Sequence, residues 1–420
     1  MAPDSLTPGG TATIDVNGRS YRLPQRPTVV VCVDGSEPGY IERAVEAGVA
    51  PWFARILREG TNLLADCVVP SFTNPNNLSI VTGRPPSVHG ISGNYFLDPE
   101  SGNEVMMNDP KFLRVETLFP AFQRAGLRIA VITAKDKLRG LLGKGLELAP
   151  GKACSFSSEK ADQATIATNG IDNVLSLVGM PVPDVYSAEL SAFVFAAGVK
   201  LMQRDRPDLM YLSTTDYIQH KHAPGTKVAN AFYAMMDGYL AQLDAMGCTI
   251  VLTADHGMNA KHDLSGQPDV VYLQDLLDGW LGEAKARVIL PITDPYVVHH
   301  GALGSFAVIY LPREAKAAAV MTRLRAVEGI ESALSREEAA QRFELPADRL
   351  GDIIVVSNRH KVLGTSASRH DLSGLTEPLR SHGGVSEQGV PLICNRKLGT
   401  GPTRHWRNFD AFDLALNLVA

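Results

Sequence analysis

The chain has 420 residues, 45% of them hydrophobic and 20% charged, with a formal net charge of −5. That is enough apolar material for one large α/β core with an insertion, or for two domains. With no block of like charge, the composition excludes the electrostatic footprint of a nucleic-acid binder or of a basic membrane-surface protein.

Residues 11–25 alternate apolar and polar side chains around Asn17-Gly18, the pattern of a small hairpin. Thr28-Val-Val-Val-Cys-Val33 is a short β-branched run ending at Asp34, as expected of a strand buried on both faces in a parallel sheet. Two short helices are predicted next, over 40–47 and from Pro51 to Gly60. Further strand-like runs cover 127–133, 209–213 and 248–254, with helices predicted over 187–203 and 227–246. This alternation predicts an α/β fold with a largely parallel central sheet flanked by helices. Beyond about residue 265 the rhythm changes. A helix over 272–287, strands over 287–291 and 306–311, a helix over 313–327 and a strand over 352–357 suggest a smaller α+β cap. The expected division is a core of residues 1–265 and 371–420 and a cap of residues 266–370, with a final helix over 409–418.

Cys32, Cys67, Cys154, Cys248 and Cys394 are scattered, with no C-x-x-C pair, so neither a disulfide framework nor a cysteine-zinc site is expected. Free thiols suit a reducing compartment. The first residues lack the basic-then-apolar order of a signal peptide, and no apolar run approaches the ~18 residues of a membrane span. A cytoplasmic location, no membrane partner and a symmetric homodimer are the expectations.

In open α/β sheets ligands sit beyond the carboxyl ends of the strands. Three of the strand-like runs end in acids: Asp34, Asp216 and Asp255-His256. The fourth ends beside Lys135 and Lys137, which point to one side if the backbone there is extended. Asp216 and His220 share a face if a helix starts at Asp216, an arrangement that can hold a divalent ion or be an ordinary exposed pair. Asp255-His256-Gly257 suits a metal ligand pair, and reads equally as a strand-to-loop turn. His382, between serine and two glycines, says little alone, and His299 and His300 receive no site role. Lys221 and His222 point elsewhere on their turn and are not expected as ligands. Taken together, Asp34, Asp216, His220, Asp255, His256 and His382 supply three carboxylates and three imidazoles, a mixed N/O set suited to two zinc ions, with Mn2+ or Fe2+ as substitutes. Such ions would also explain Thr73, a threonine between two prolines with no base beside it in sequence, because metal binding favours an ionised hydroxyl.

Several motifs fall in a familiar order: Val33-Asp34-Gly35, the Pro-x-x-Thr-x-Pro-Asn segment at 70–76, Val81-Thr-Gly-Arg-Pro-Pro-Ser-Val-His89-Gly90-Ile91, Asn94, Asp216-x-x-x-His220, Thr253-Ala-Asp255-His256-Gly257-Met258 and Ser381-His382-Gly383-Gly384. The set resembles the alkaline phosphatase superfamily, nearest to its nucleotide pyrophosphatase/phosphodiesterase branch. Asn94-Tyr-Phe96, Thr133-Ala-Lys135-Asp-Lys137-Leu138 and the 216–225 segment look most like the phosphonoacetate hydrolase group within it. The resemblance implies an alkaline phosphatase-like core. It also implies one zinc among Asp34, Thr73, Asp255 and His256, and a second among Asp216, His220 and His382. Thr73 would be the nucleophile and Asn94 a donor to a phosphoryl oxygen. Lys135, Lys137 or both would bind the carboxylate of a small phosphonate substrate, or form a solvated loop pair. The implied reaction is hydrolysis of a C–P bond through a phosphothreonine. The competing expectations are a phosphodiesterase or pyrophosphatase acting on nucleotides with the same metals, and an inactive binder of phosphorylated ligands.

Overall fold

The computed structural model describes residues 12–293, 301–399 and 404–419. His299 and His300 lie outside the described residues. The central sheet has seven strands, in the order Thr61–Asp66, Gly389–Cys394, Thr249–Thr253, Thr28–Cys32, Leu209–Ser213, Ile129–Thr133 and Ala153–Ser157. The last five run parallel, and Gly389–Cys394 is antiparallel to both its neighbours. The sheet is therefore mixed but largely parallel.

Apolar runs at the centre of this sheet bury both faces. Val29 and Val31 pack with Phe193, Phe232 and Met236 on one side. Val30 and Cys32 pack with Leu78, Phe119 and Phe412 on the other. This is the period of two expected of a strand sandwiched between helix layers. The predicted strands at 127–133, 209–213 and 248–254 and the helices Glu189–Arg204 and Lys227–Ala245 appear within two residues of their expected bounds. Three strands of the central sheet escape the sequence reading. Thr61–Asp66 is an outer strand with Leu64 exposed. Ala153–Ser157 is rich in small polar residues, and Gly389–Cys394 carries Pro391, a residue that argues against a strand.

A second, four-stranded sheet is antiparallel, in the order Arg287–Ile289, Phe306–Tyr310, Ile353–Ser357 and Ile330–Ser335. Its helices are shorter than expected. Leu273–Leu281 stops before Gly282, which sits at φ 101°, instead of running to 287. The next helix narrows to Ala317–Arg325. The expected final helix is a composite, ending in a π-helical turn over Leu414–Leu418. The core of the second sheet also takes in Val69 and Phe72, so it packs directly on the segment before Thr73. Among the described residues no helix is long and apolar enough to cross a membrane.

Candidate active site

The parallel strands end level with one another. Cys32 pairs with both Thr253 and Ser213, and Ser213 pairs with Thr133. Equal register delivers Asp34, Asp216, Asp255-His256 and Lys135 to one edge of the sheet. Gly35 makes the first turn possible. Its φ is 71°, and a Cβ there would lie 3.1 Å from the Asp216 Cβ. His382 arrives from the far end of the chain, beside Gly383 at φ 121°, where a Cβ would meet the Phe72 ring at 2.5 Å.

Two groups of three side chains each bring their ligand atoms within 4.8 Å of one another: Asp216, His220 and His382, and Asp34, Asp216 and His256. Asp216, at the N-terminus of the helix Tyr217–Lys221, belongs to both. Asp255 belongs to neither group. Its Oδ1 accepts from the Gly35 and His256 backbone N–H groups at 3.2 and 3.0 Å, and its Oδ2 accepts from Asn77 Nδ2 at 3.2 Å. It still lies 3.9 Å from His256 Nε2.

The three imidazoles share one tautomer-setting contact. Nδ1 of His220, His256 and His382 lies 2.8, 2.9 and 2.7 Å from the carbonyls of Arg380, Gly257 and Ser71. A carbonyl only accepts, so each Nδ1 carries a proton, and in its neutral form each ring turns an Nε2 lone pair inward. Those lone pairs meet carboxylate oxygens: His220 to Asp216 at 2.9 Å, His256 to Asp34 at 3.2 Å and His382 to Asp216 at 3.7 Å. Facing lone pairs repel unless a cation lies between them. Asp34 Oδ1 and His256 Nε2 are buried without a hydrogen-bond partner, which fits a cation better than a proton network. The rings of His256 and His382 stack at 3.5 Å, so the two groups touch.

The charge balance agrees. Burial, reinforced by the charges of Asp216 and Asp255, raises Asp34 well above the usual carboxylate range, and burial raises Asp255. His256 is pushed up to about 10: burial opposes its charge, but Asp255 and Asp34 outweigh it, so without a metal ion a second proton on Nε2 supplies the positive charge that a cation would otherwise bring. Burial, with the nearby imidazoles of His256 and His220, pulls His382 well below its ordinary value. Positive charge placed among these groups would relieve the repulsion.

Thr73 opens the helix Thr73–Thr82, whose first turn carries no acid and whose preceding residue, Phe72, offers no side-chain cap. The positive end of that helix therefore faces the site. Two asparagines hold the turn. Asn76 Nδ2 donates to the carbonyls of Val68 and Phe72 at 3.2 and 3.1 Å. Asn77 bridges the Thr73 carbonyl and Asp255, while its Oδ1 accepts from Tyr211 Oη and Ser213 Oγ. Asn94 Oδ1 accepts from the Asn74 N–H at 2.9 Å, which leaves its NH2 end to donate.

A cavity of about 90 Å³ joins Asp34, Thr73, Asn94, Asp216, His382 and both lysines. The extended backbone assumed for both lysines is found only at Lys135, with φ −106° and ψ 140°. A helix begins at Asp136, with Lys135 just before it and Lys137 in its first turn, and both side chains still line the cavity. Sequence reasoning missed Thr214, Thr215 and Asn108, which also line it. The first two were findable as the polar residues between a strand end and Asp216. Asn108 follows a hairpin that carries no comparable signal. Lys221 lies over the Tyr217 ring, and neither it nor His222 joins a ligand group.

Comparison with known proteins adds to this geometry. The family model for type I phosphodiesterase / nucleotide pyrophosphatase matches residues 28–384. The chain belongs to this family. The family is a branch of the alkaline phosphatase superfamily, and the largely parallel sheet is its core. The structure of phosphonoacetate hydrolase from Sinorhizobium meliloti 1021 in complex with phosphonoacetate is 60% identical, with a TM-score of 0.94 over 97% of this chain and 98% of that one. The same protein in complex with phosphonoformate is 61% identical at the same TM-score, 0.94, and covers the same shares, 97% and 98%. Among curated relatives, ectonucleotide pyrophosphatase/phosphodiesterase family member 1 of Rattus norvegicus is 26% identical over 267 residues. That alignment spans 59% of this chain but only a quarter (25%) of the relative.

Proposed function

We propose that this phosphodiesterase-family chain is a metal-dependent hydrolase that converts phosphonoacetate and water to acetate and phosphate. The observation that carries the reading is the cavity: about 90 Å³, with two lysines sharing it with Thr73 and no Phe, Tyr or Trp side chain among its described lining residues. Pockets for drug-sized ligands start near ~300 Å³, and a nucleobase calls for that room and for an aromatic slot. A small dianionic phosphonate with an adjacent carboxylate suits the space and the charges. Similarity to the S. meliloti hydrolase over nearly the whole of both chains supports the same substrate.

Three imidazole nitrogens with carboxylate oxygens suit zinc, with Mn2+ or Fe2+ as substitutes. Two zinc ions, one held by Asp34, Thr73, Asp255 and His256 and one by Asp216, His220 and His382, would supply the positive charge that favours an ionised Thr73 hydroxyl and offsets charge at phosphorus. Thr73 Oγ1 attacks phosphorus, forming a P–O bond as the C–P bond breaks. The electron pair of that bond passes to the methylene carbon and spreads into the neighbouring carboxylate. Lys135, Lys137 or both bind this carboxylate and stabilise the charge that develops on it. A proton from solvent at carbon completes acetate. The Asn94 NH2 group and the helix N-terminus hold the phosphoryl oxygens. Water then adds to phosphorus of the phosphothreonine, phosphate leaves and Thr73 regains its proton. In this reading residues 1–265 and 371–420 are the catalytic core and residues 266–370 the cap, which contributes Ile292 to the cavity wall. A cytoplasmic homodimer is part of the same proposal.

The test pairs metal analysis with phosphate release. Zinc-loaded protein should turn over phosphonoacetate at least ~100-fold better, in kcat/KM, than a nitrophenyl nucleotide diester. The reverse preference would assign the site to nucleotides instead.

A further inference from the structure

Outside the candidate metal ligands, one ion pair among the described residues is completely buried. Lys261 Nζ and Glu387 Oε1 lie 3.0 Å apart, and both side chains are 0% exposed. Burying such a pair gives no dependable gain over apolar packing, so stability alone is a weak reason for its presence. Its contacts suggest another. Glu387 Oε2 accepts from the Gly384 N–H at 2.9 Å, two residues beyond His382. Glu387 Oε1 also accepts from Asn259 Nδ2 at 2.6 Å, and the Glu387 carbonyl accepts from the Gly257 N–H at 2.7 Å, immediately after His256. Lys261 Nζ donates in addition to the Asn358 carbonyl at 3.3 Å, at the end of a strand of the second sheet. Glu387 thus clasps both loops, its carboxylate through Asn259 and Gly384 and its backbone carbonyl through Gly257, and the rings of His256 and His382 on those loops stack 3.5 Å apart. Burial alone would raise Glu387, but Lys261 and these donors hold it below the usual carboxylate range.

We infer that Glu387, paired with Lys261, is a positioning residue that sets the spacing between the His256 and His382 loops, and hence between two bound cations. The inference rests on the two-cation reading above. Neither side chain lines the cavity, so any effect on the metals passes through the loops. A glutamine at 387 keeps the shape but replaces one acceptor oxygen with a donor and leaves Lys261 without its counter-charge.

The experiment titrates zinc alone into metal-free protein against a chromophoric chelator, for the natural chain, Glu387→Gln and the double variant Lys261→Met/Glu387→Gln. The double variant removes both charges and guards against misfolding of the single one. Circular dichroism and melting of the metal-free proteins run in parallel. The natural chain should bind two zinc ions. Both variants, folded, should bind the second at least ~10-fold more weakly, and excess zinc should restore phosphate release. If the natural chain binds no zinc, the metal reading itself fails. If it binds two and a folded variant matches its affinities, the positioning role is overturned. If neither variant folds, the pair is a stabilising element only, and the inference is equally overturned.

Discussion

The two large sheets are built from similar apolar strands, yet only one delivers chemistry. In the seven-stranded sheet five neighbouring strands run the same way, so their following loops open on one edge, bringing Asp34, Asp216, Asp255, His256 and Lys135 together. In the four-stranded sheet neighbours alternate in direction, loops are shared between two edges, and among the described residues the segment after one strand supplies a single apolar wall residue, Ile292. Strand direction, more than composition, decides where polar residues accumulate.

Breaking the active edge should have the largest effect. Thr73→Ala should lower phosphate release from phosphonoacetate on the order of 10⁴-fold or more while zinc stoichiometry stays at the natural value. Retained turnover would remove Thr73 as nucleophile.

His89 sharpens the contrast between histidines that serve the site and one that serves the core. Its Nδ1 accepts from the Ile91 N–H at 3.1 Å, so its Nε2–H donates to Ser79 Oγ at 2.9 Å, the opposite tautomer to the three site imidazoles. Burial lowers its pKa to about 3. The unfolded chain takes up this proton near pH ~6.5 and the folded chain near 3, so the unfolded state binds more protons between those values. Its contribution is therefore complete above pH ~6.5 and lost as pH falls towards 3, roughly 3–5 kcal/mol in all. Urea unfolding of the natural chain and His89→Gln should show a stability gap that closes over this window; a constant gap would contradict the assignment.

The lysines test the wall opposite the metals. Lys135→Ala/Lys137→Ala should reduce kcat/KM for phosphonoacetate by about 10²–10³-fold but spare nitrophenyl phosphate, whose leaving group needs no help. Equal losses on both substrates would return the pair to an ordinary solvated loop.

The smallest change belongs to the second sheet. Phe343 packs in its core, 6.4 Å from the Phe306 ring and away from the cavity. Phe343→Leu should cost about 1–2 kcal/mol in chemical unfolding and leave kcat unaltered. A large loss of turnover would mean that the second sheet governs the site more tightly than its one wall residue suggests.

Much of this site is legible without coordinates because its acids follow apolar strands directly, and a parallel sheet must place such residues together. The flanking strands were less legible: Pro391 and the polar Ala153–Ser157 run hide theirs, since pairing partners there override local preference. Lys135 and Lys137 both line the cavity, but only Lys135 has the extended backbone expected of the pair, because a helix starts at Asp136 and takes in Lys137. Asn77, Lys261 and Glu387 carry no pattern of their own. Each is defined by partners far away in sequence, such as Asn77 with Asp255 and Tyr211.

By itself, the amino-acid sequence determined the alternating strands and helices, the acids at three strand ends and the candidate donor set, because periodicity and residue chemistry are local properties. Tertiary structure alone decided that Asp216 stands in both ligand groups, that three imidazoles turn their Nε2 atoms inward, and that the cavity is small and lined by lysine instead of Phe, Tyr or Trp rings. The physical reason is that each of these depends on register and on hydrogen-bond partners drawn from distant segments, down to the Ser71 carbonyl that orients His382.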